Sequence, residues 1–296
     1  MEPTFSVIIP TYNRAELVER TVRAFLAQEG PSFEIIVLDD GSTDGTFALL
    51  KAINHPRVGL HRQENRGLAA ARNAGFALAK GEYVLFNDDD VVPQVGFLQA
   101  HLGLHHQLPN VAVVSRTYLP GELGQGPFMR YWRERAEGGV RGKPNAAVLG
   151  KGGYWFASLS VERESLPQPP FSDFRAYGWE EHELGLRLWA KGVQPRLATG
   201  ARAAHLDAVR LDSMLEKLHS MGRMAWEFCR LHPSLEVAFW TGANPLSLAY
   251  KRRFYPWAKA QELLENRAWE ATAEAFKNYS LVLEAAYTRG LLEGKP

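Results

Sequence analysis

The strongest constraint on this chain is a repeated unit: a short, almost uninterrupted apolar run followed by residues at helical spacing. Phe5-Ser6-Val7-Ile8-Ile9, Ile35-Ile36-Val37-Leu38 and Tyr83-Val84-Leu85-Phe86 are such runs. A strand that is apolar on both sides must be covered on both faces, so the alternation predicts an α/β fold with a mostly parallel sheet. Pro10 is expected to halt the first strand. Asn13 then caps a helix, with Glu16 completing a capping box and Leu17, Val18, Thr21, Val22, Phe25 and Leu26 at helical spacing. Further helices are expected over residues 47–53, 68–79 and 97–107, and further strands over 58–60 and 111–114.

Functional loops in such sheets gather at the carboxyl ends of the strands. Two acidic stretches fall at such ends, Asp39-Asp40 and Asp88-Asp89-Asp90. Adjacent carboxylates resist joint ionisation, so three in a row at a strand end point to a divalent cation, with a turn or helix start as the plainer reading. In the first stretch and the loop after it, Asp39 and Asp44 suit turn and cap duty. Residues 120–144, rich in Gly, Pro and Arg, read as an excursion of the lid or acceptor-facing kind. A helix beginning Glu180-Glu181-His182-Glu183 and ending at Gly192 carries acid at its N-terminus, as the helix dipole favours. From Leu211 the alternation stops, and two long helical stretches, 211–231 and 257–292, predict an appendage. The expected division is 1–207 for the α/β core and 208–296 for the helical extension.

The formal net charge of +1 over 296 residues argues against a broad basic surface for nucleic acid. Cys229 is the single cysteine, which excludes an internal disulfide and a cysteine-rich zinc site. Met1 leads straight into the first apolar run without a basic leader and long apolar core, and no run has the length of a membrane span; a cytoplasmic location is expected. Tyr250-Lys251-Arg252-Arg253-Phe254-Tyr255-Pro256-Trp257 interleaves basic and aromatic residues. It reads either as peripheral contact with the inner face of an anionic membrane or as helix packing with a solvated basic rim. His101 and His105 have the i, i+4 spacing of a metal pair but no third ligand at hand, so with His106 they read as a solvated helix face.

With these pieces in order the chain resembles the family 2 glycosyltransferases, inverting enzymes of the GT-A type with a Rossmannoid nucleotide-binding core. The resemblance covers about the first two-thirds of the sequence. It rests on five blocks: residues 6–14 (SVIIPTYNR), 38–46 (LDDGSTDGT), 65–75 (NRGLAAARNAG), the triplet 88–90, and 178–184 (GWEEHEL). It implies that Pro10, Thr11, Tyr12 and Arg14 border the base and ribose of a nucleotide sugar, UDP-, GDP- or dTDP-linked, and that Asp40 reads the base edge. Asn65, Gly67, Arg72, Asp88 and Asp89 complete the nucleotide-sugar site, with Arg72 suited to phosphate oxygens or sugar hydroxyls. Asp90 is the implied ligand of Mn2+ or Mg2+, with Asp88 facing the ribose or the metal's water shell. His205, in Ala203-Ala204-His205-Leu206, stands where such enzymes place a histidine that reaches the metal or diphosphate.

The family's base is usually the aspartate of a Glu-Asp pair; Glu180-Glu181 stands here instead, so Glu181 is the implied general base and Glu180 its alternate. Gly152, Gly153, Tyr154, Trp155 and Trp179 fall where relatives touch the acceptor or diphosphate, although each could equally shape a turn or pack the core. The implied activity is metal-dependent hexosyl transfer to a carbohydrate or lipid-linked acceptor, of the kind that builds cell-envelope polysaccharide. A sugar-phosphate nucleotidyltransferase is disfavoured because Pro10-Thr11-Tyr12-Asn13-Arg14 replaces its Gly-rich loop. A non-catalytic nucleotide-sugar binder is favoured only by the Glu-for-Asp change. A polysaccharide synthase is disfavoured by the lack of membrane spans.

Overall fold

The structure is a computed structural model that describes residues 2–154, 157–172 and 178–296. It divides into two compact units: Met1–Pro120, Glu137–Phe174 and Glu180–Asp207 form an α/β unit, and Gly121–Ala136, Arg175–Trp179 and Ala208–Pro296 a helical one.

The α/β unit runs β1 (Phe5–Thr11), α1 (Ala15–Leu26), β2 (Phe33–Asp39), α2 (Thr46–Ile53), β3 (Val58–Arg62), α3 (Leu68–Leu78), β4 (Tyr83–Asn87), β5 (Val91–Pro93), α4 (Phe97–Gln107) and β6 (Val111–Tyr118). After α5 (Pro127–Gly138) it continues with β7 (Ser158–Glu162), α6 (Glu180–Ala190) and β8 (Gln194–His205). The eight strands form one sheet in the order β3-β2-β1-β4-β7-β6-β8-β5. β1 pairs in parallel with β2 and β4, β2 with β3, and β6 with β8; β7 and β5 run antiparallel to their neighbours. The carboxyl ends of β1, β2, β4 and β8 therefore open on one edge, as parallel pairing requires.

The apolar runs pack as expected. Phe5, Val7 and Ile9 face one core with Val22 and Phe25 of α1, while Ile8 faces another with Ala71 of α3 and Phe86 of β4. This is the period of two that splits one strand between two helix layers. Gly75 lets α3 close on β1, since a Cβ there would lie 2.5 Å from Cγ2 of Ile8.

Several expectations fail for long-range reasons. Pro10 does not end β1: it sits in register with Leu38, and the strand runs on to Thr11. Asn13 does not cap α1; Arg14 holds that position without a side-chain cap. Asn13 has φ 54 and clips two loops together, its N–H donating to Ser42 Oγ (2.9 Å) and its Oδ1 accepting from Thr43 N (2.7 Å). The excursion at 120–144 contains α5, whose Phe128 and Tyr131 are buried among the other helices of its unit. β8 lies where no strand was expected; it pairs in parallel with β6 through Pro195, and a break in register over residues 199–201 takes in Gly200.

The helical unit comprises α7 (Leu211–Leu231), α8 (Leu235–Thr241), α9 (Pro245–Phe254), α10 (Trp257–Glu265) and α11 (Ala275–Glu293), with the N-terminal part of α5. The stretch expected as one helix over 257–292 is broken between Asn266 and Glu274. Its organising contact is the α7–α11 crossing. A Cβ on Gly222 would lie 2.1 Å from the Tyr287 carbonyl oxygen, and one on Gly290 would lie 1.9 Å from that of His219. Only glycine permits two backbones to approach this closely. Among the described residues no helix is long and apolar enough to cross a membrane.

Candidate active site

The strand-end edge of the α/β unit gathers most of the residues singled out in the sequence. Asn87, the last residue of β4, builds the acidic turn: its Nδ2 donates to the carbonyls of Asp88 and Val91 (both 2.8 Å), and its Oδ1 accepts from Ser158 Oγ (2.7 Å). Nothing in the sequence reading pointed to Asn87; its signal was a buried amide directly before the triplet, where an unpaired polar group would be costly. The turn then enters β5, whose Val91 pairs with His205 of β8. That pairing brings the histidine beside the acids.

The three aspartates have different surroundings. Asp89 is buried and tied inward: Thr11 Oγ1 donates to its Oδ2 (2.7 Å), Arg14 Nη1 to its Oδ1 (2.9 Å), and Thr21 Oγ1 to its backbone oxygen (2.7 Å). Asp90 accepts from Arg14 on Oδ2 (2.9 Å), while its buried Oδ1 lies 3.3 Å from Nε2 of His205 and has no well-formed hydrogen bond. Asp88, with about 30 % of its side chain accessible, accepts from Arg72 Nη2 (2.9 Å).

Electrostatics separates them further. Burial pushes Asp88 and Asp89 above the ordinary carboxylate range, against the opposing pull of Arg72 on the first and of Arg14 and Thr11 on the second. Burial would raise Asp90 too, but His205 and Arg14 overcome it and hold the carboxyl below its usual value. His205, which burial alone would lower, is raised by Asp90, with Asp88 and Asp207 adding to it. Arg14, expected to line the nucleotide pocket, is the counter-ion of this cluster, bridging Asp89, Asp90 and Asp207.

Arg72 is fully buried on α3 and links the acidic turn to α6. Its Nη1 donates to Glu181 Oε1 (2.7 Å), its Nη2 to Asp88, and its guanidinium lies 5.3 Å from the centre of the Phe171 ring. Glu181 keeps about 28 % of its side chain accessible. Glu180 is buried, and so is Glu183, paired with Arg187 and Ser172. Neither is a solvated first-turn carboxylate.

Asp40 at the end of β2 organises the loop that carries Asn65 and Gly67. Its Oδ1 accepts from Gln63 Nε2 (2.7 Å) and Arg66 N (3.0 Å), and its Oδ2 from Gly67 N (2.8 Å). A carboxylate has about four acceptor positions, so capacity remains for a base edge. Gly41, at φ 83, lets that loop approach; a Cβ there would lie 2.9 Å from Asn65 N. Asp39 caps its own turn through Ser42 N, and Asp44 serves Thr46. Tyr12 is exposed at the rim.

The glycine-aromatic segment divides. Tyr154 is core, its hydroxyl donating to the Val193 carbonyl and its ring packed on Gly185. A Cβ on Gly153 would collide with Leu149, whereas Gly152 faces open space. Trp155 lies outside the described residues. Trp179 belongs to the helical unit, its indole N–H donating to the Met221 carbonyl (2.8 Å) and its ring stacked on Phe228. The histidines of α4 are not a solvated face: His101 is fully buried between Ser160 and Ser115, His105 also reaches Ser160, and only His106 is exposed.

For a hard divalent cation, the fitting donors are the orphaned Oδ1 of Asp90 and Nε2 of His205. Among the described residues no three His, Cys, Asp or Glu side chains converge on one point. A cation here would need its remaining oxygens from a ligand, the usual situation for magnesium at phosphate sites.

Comparison with known proteins bears on the family and the fold. Residues 6–155, just over half of the chain, match the model of the family described as glycosyl transferase family 2. A validoxylamine A glucosyltransferase of Streptomyces hygroscopicus subsp. jinggangensis is 28 % identical over 90 % of this chain and 72 % of the relative. Among solved structures, the mannosyltransferase PcManGT of Pyrobaculum calidifontis, in complex with GDP-Man and Mn2+, aligns over 99 % of this chain and 87 % of its own with a TM-score of 0.65 at 19 % identity. GalNAc-T7 with UDP, GalNAc and Mn2+ aligns over 71 % of this chain and 44 % of its own, with a TM-score of 0.54 at 18 % identity. The GT-A fold expected from the sequence is the fold found. With strand-end acids, a matching family model and a shared fold in agreement, the chain belongs to glycosyl transferase family 2 and is an enzyme that transfers sugars.

Proposed function

We propose that this chain is a metal-dependent, inverting hexosyltransferase that moves a sugar from a nucleoside-diphosphate donor to an acceptor hydroxyl, with residues 1–207 as its catalytic domain and 208–296 as a helical extension. The observation that carries this reading is Arg72, one buried guanidinium joined to both Asp88 of the acidic turn and Glu181 of α6. It couples the diphosphate end of the site to its acceptor end.

Asp40 with Thr11 and Tyr12 would hold the base and ribose, and Asn65 and Gly67 the loop beside them. Asp90 and His205 would hold a divalent cation, Mn2+ or Mg2+; two similar structures contain Mn2+ together with a nucleotide. Such an ion supplies positive charge that offsets the diphosphate as its bond to the sugar breaks. Asp89 with Arg14 keeps the acidic turn in place. Glu181 takes the proton of the acceptor hydroxyl while that oxygen forms a bond to the anomeric carbon; the bond from carbon to phosphate oxygen breaks, and its electron pair leaves with the nucleoside diphosphate. Attack from the face opposite the leaving group inverts the anomeric centre.

Arg72 on Oε1 fixes the carboxylate's direction and leaves Oε2 for the proton. Glu181→Gln should therefore abolish transfer while leaving donor binding intact. A panel of UDP-, GDP- and dTDP-sugars, scored by release of nucleoside diphosphate and by the anomeric configuration of the product, tests the reading. Retained configuration, or near-normal transfer by Glu181→Gln, would contradict it.

The acceptor could reach the enzyme on a membrane surface. Leu246, Tyr250 and Phe254 repeat every four residues on α9 and are 72 %, 55 % and 54 % exposed beside the exposed Arg252 and Arg253. Such a stripe suits peripheral contact with anionic lipid. Co-sedimentation with phosphatidylglycerol vesicles that falls with added salt is the expected result, and salt-insensitive or absent binding would remove this part of the proposal.

A further inference from the structure

The helical unit encloses a cavity of about 360 Å³, and every residue lining it belongs to that unit. This lies within the ~300–1,000 Å³ range of small-molecule sites. Its walls carry Trp132, Trp179, Trp240 and Tyr287, and its polar groups include the ion pair of Lys251 and Glu284 (2.7 Å).

The walls are held in place. Gly178, at φ 114, passes so close to α7 that a Cβ would lie 2.4 Å from Cγ of Met221, and this tight passage delivers Trp179. The Trp179 indole is anchored on the Met221 carbonyl and stacked on Phe228, with Trp240 edge-on to it at 5.9 Å. Tyr287 donates to the Thr241 carbonyl (2.7 Å), and its ring lies 5.1 Å from the Lys251 ammonium. The α7–α11 glycine crossing sets the spacing of the two helices that carry Met221 and Tyr287. Trp240, edge-on also to Phe228, is 43 % exposed.

We infer that this cavity is a binding site for a glycoside, the acceptor of the proposed transfer or a sugar unit adjoining it in the acceptor chain. A pyranose has an apolar C–H face that stacks on indole and an edge of hydroxyls that needs donors and acceptors. The Lys251–Glu284 pair presents one of each side by side, which is what two vicinal hydroxyls require. A lipid tail would leave the ion pair without a polar partner. Arg135 also lines the cavity and adds guanidinium donors for a hydroxyl edge. Trp179 directly precedes Glu180-Glu181 in the chain, so the segment carrying a wall of this site continues into the helix of the proposed base.

The inference rests on the sugar-transfer reading above, and its test is separable from it. Saturation-transfer NMR on the full chain with cellobiose, maltose, lactose and methyl α-mannoside should find at least one sugar binding with a Kd of roughly 1–10 mM. Trp240→Leu and Glu284→Gln should each weaken that binding about tenfold without lowering Tm, whereas Asp90→Asn should leave it unchanged. The inference is overturned if no sugar in the panel saturates, if both cavity variants bind like the parent, or if Asp90→Asn removes the binding, which would place the sugar at the strand-end site. Melting-temperature shifts with nucleoside diphosphates, read on the same variants, test the donor site separately.

Discussion

The acidic turn of the α/β unit and the aromatic cavity of the helical unit build recognition by opposite means. At the turn, function sits on consecutive residues, and a β-strand end presents Asp88 to Arg72, Asp89 to Thr11 and Arg14, and Asp90 to Arg14 and His205. In the cavity, Trp132, Trp179, Trp240 and Tyr287 come from four separate stretches of chain, joined by a helix crossing that two glycines allow. The first kind of site concentrates charge and can be located by inspection of a few residues. The second spreads apolar surface and depends on packing.

The sharpest way to break this contrast is Asp90→Asn. If the turn works by charge, removing one carboxylate while keeping its shape should lower metal-dependent transfer on the order of a thousandfold with little change in Tm. Kinetics over a manganese titration would show it, and a loss of only a few fold would mean that the turn is a scaffold. The matching experiment in the helical unit is Gly290→Val. Its Cβ would lie 1.9 Å from a carbonyl oxygen, so separating α7 from α11 should cost about 1–3 kcal/mol or more in urea unfolding. Unchanged stability would remove the crossing as the organiser of that unit.

Asp89→Asn refines the division within the turn. The resemblance makes Asp89 the middle position of an Asp-any-Asp signature, but its links to Thr11 and Arg14 make it the residue that holds the turn. We expect a stability loss of about 1–2 kcal/mol and a smaller fall in rate than for Asp90→Asn. Equal rate losses would show that the two carboxylates act as one site.

The smallest effect concerns acid. Burial lowers the His101 and His105 pKa values to about 3, well below their ordinary value. The unfolded chain then binds more protons than the folded one between that ordinary value and about pH 3, so stability is complete above the window and is lost as pH falls through it. Tm measured at pH 7, 6 and 5 should decline, and His101→Gln should flatten the decline.

What was legible in the sequence follows the same contrast. The parallel strands could be read because a strand buried on both faces is apolar throughout, and the acids because they are adjacent. β8 could not, since its place is set by register with β6, far away in sequence. Arg72 was recognisable as a site residue, but its grip on Glu181 needed α3 and α6 in place. Arg14 looked like a pocket residue because nothing local showed the three acids around it. His101 seemed to belong to a wet face because its partners, Ser115 and Ser160, lie on other strands. Trp179 was assigned to the acceptor on position alone, and the cavity it lines was invisible until α7, α8 and α11 were assembled.

Melting temperature with UDP, GDP and dTDP, each with and without Mn2+, on the parent chain and on Asp90→Asn, tests the strand-end site most directly. A ligand that binds only the folded chain raises Tm. One nucleoside diphosphate should raise it with manganese and much less without, and Asp90→Asn should lose the manganese-dependent part. Equal stabilisation with and without metal, or no response to any of the three, would contradict a metal–diphosphate site at Asp90 and His205.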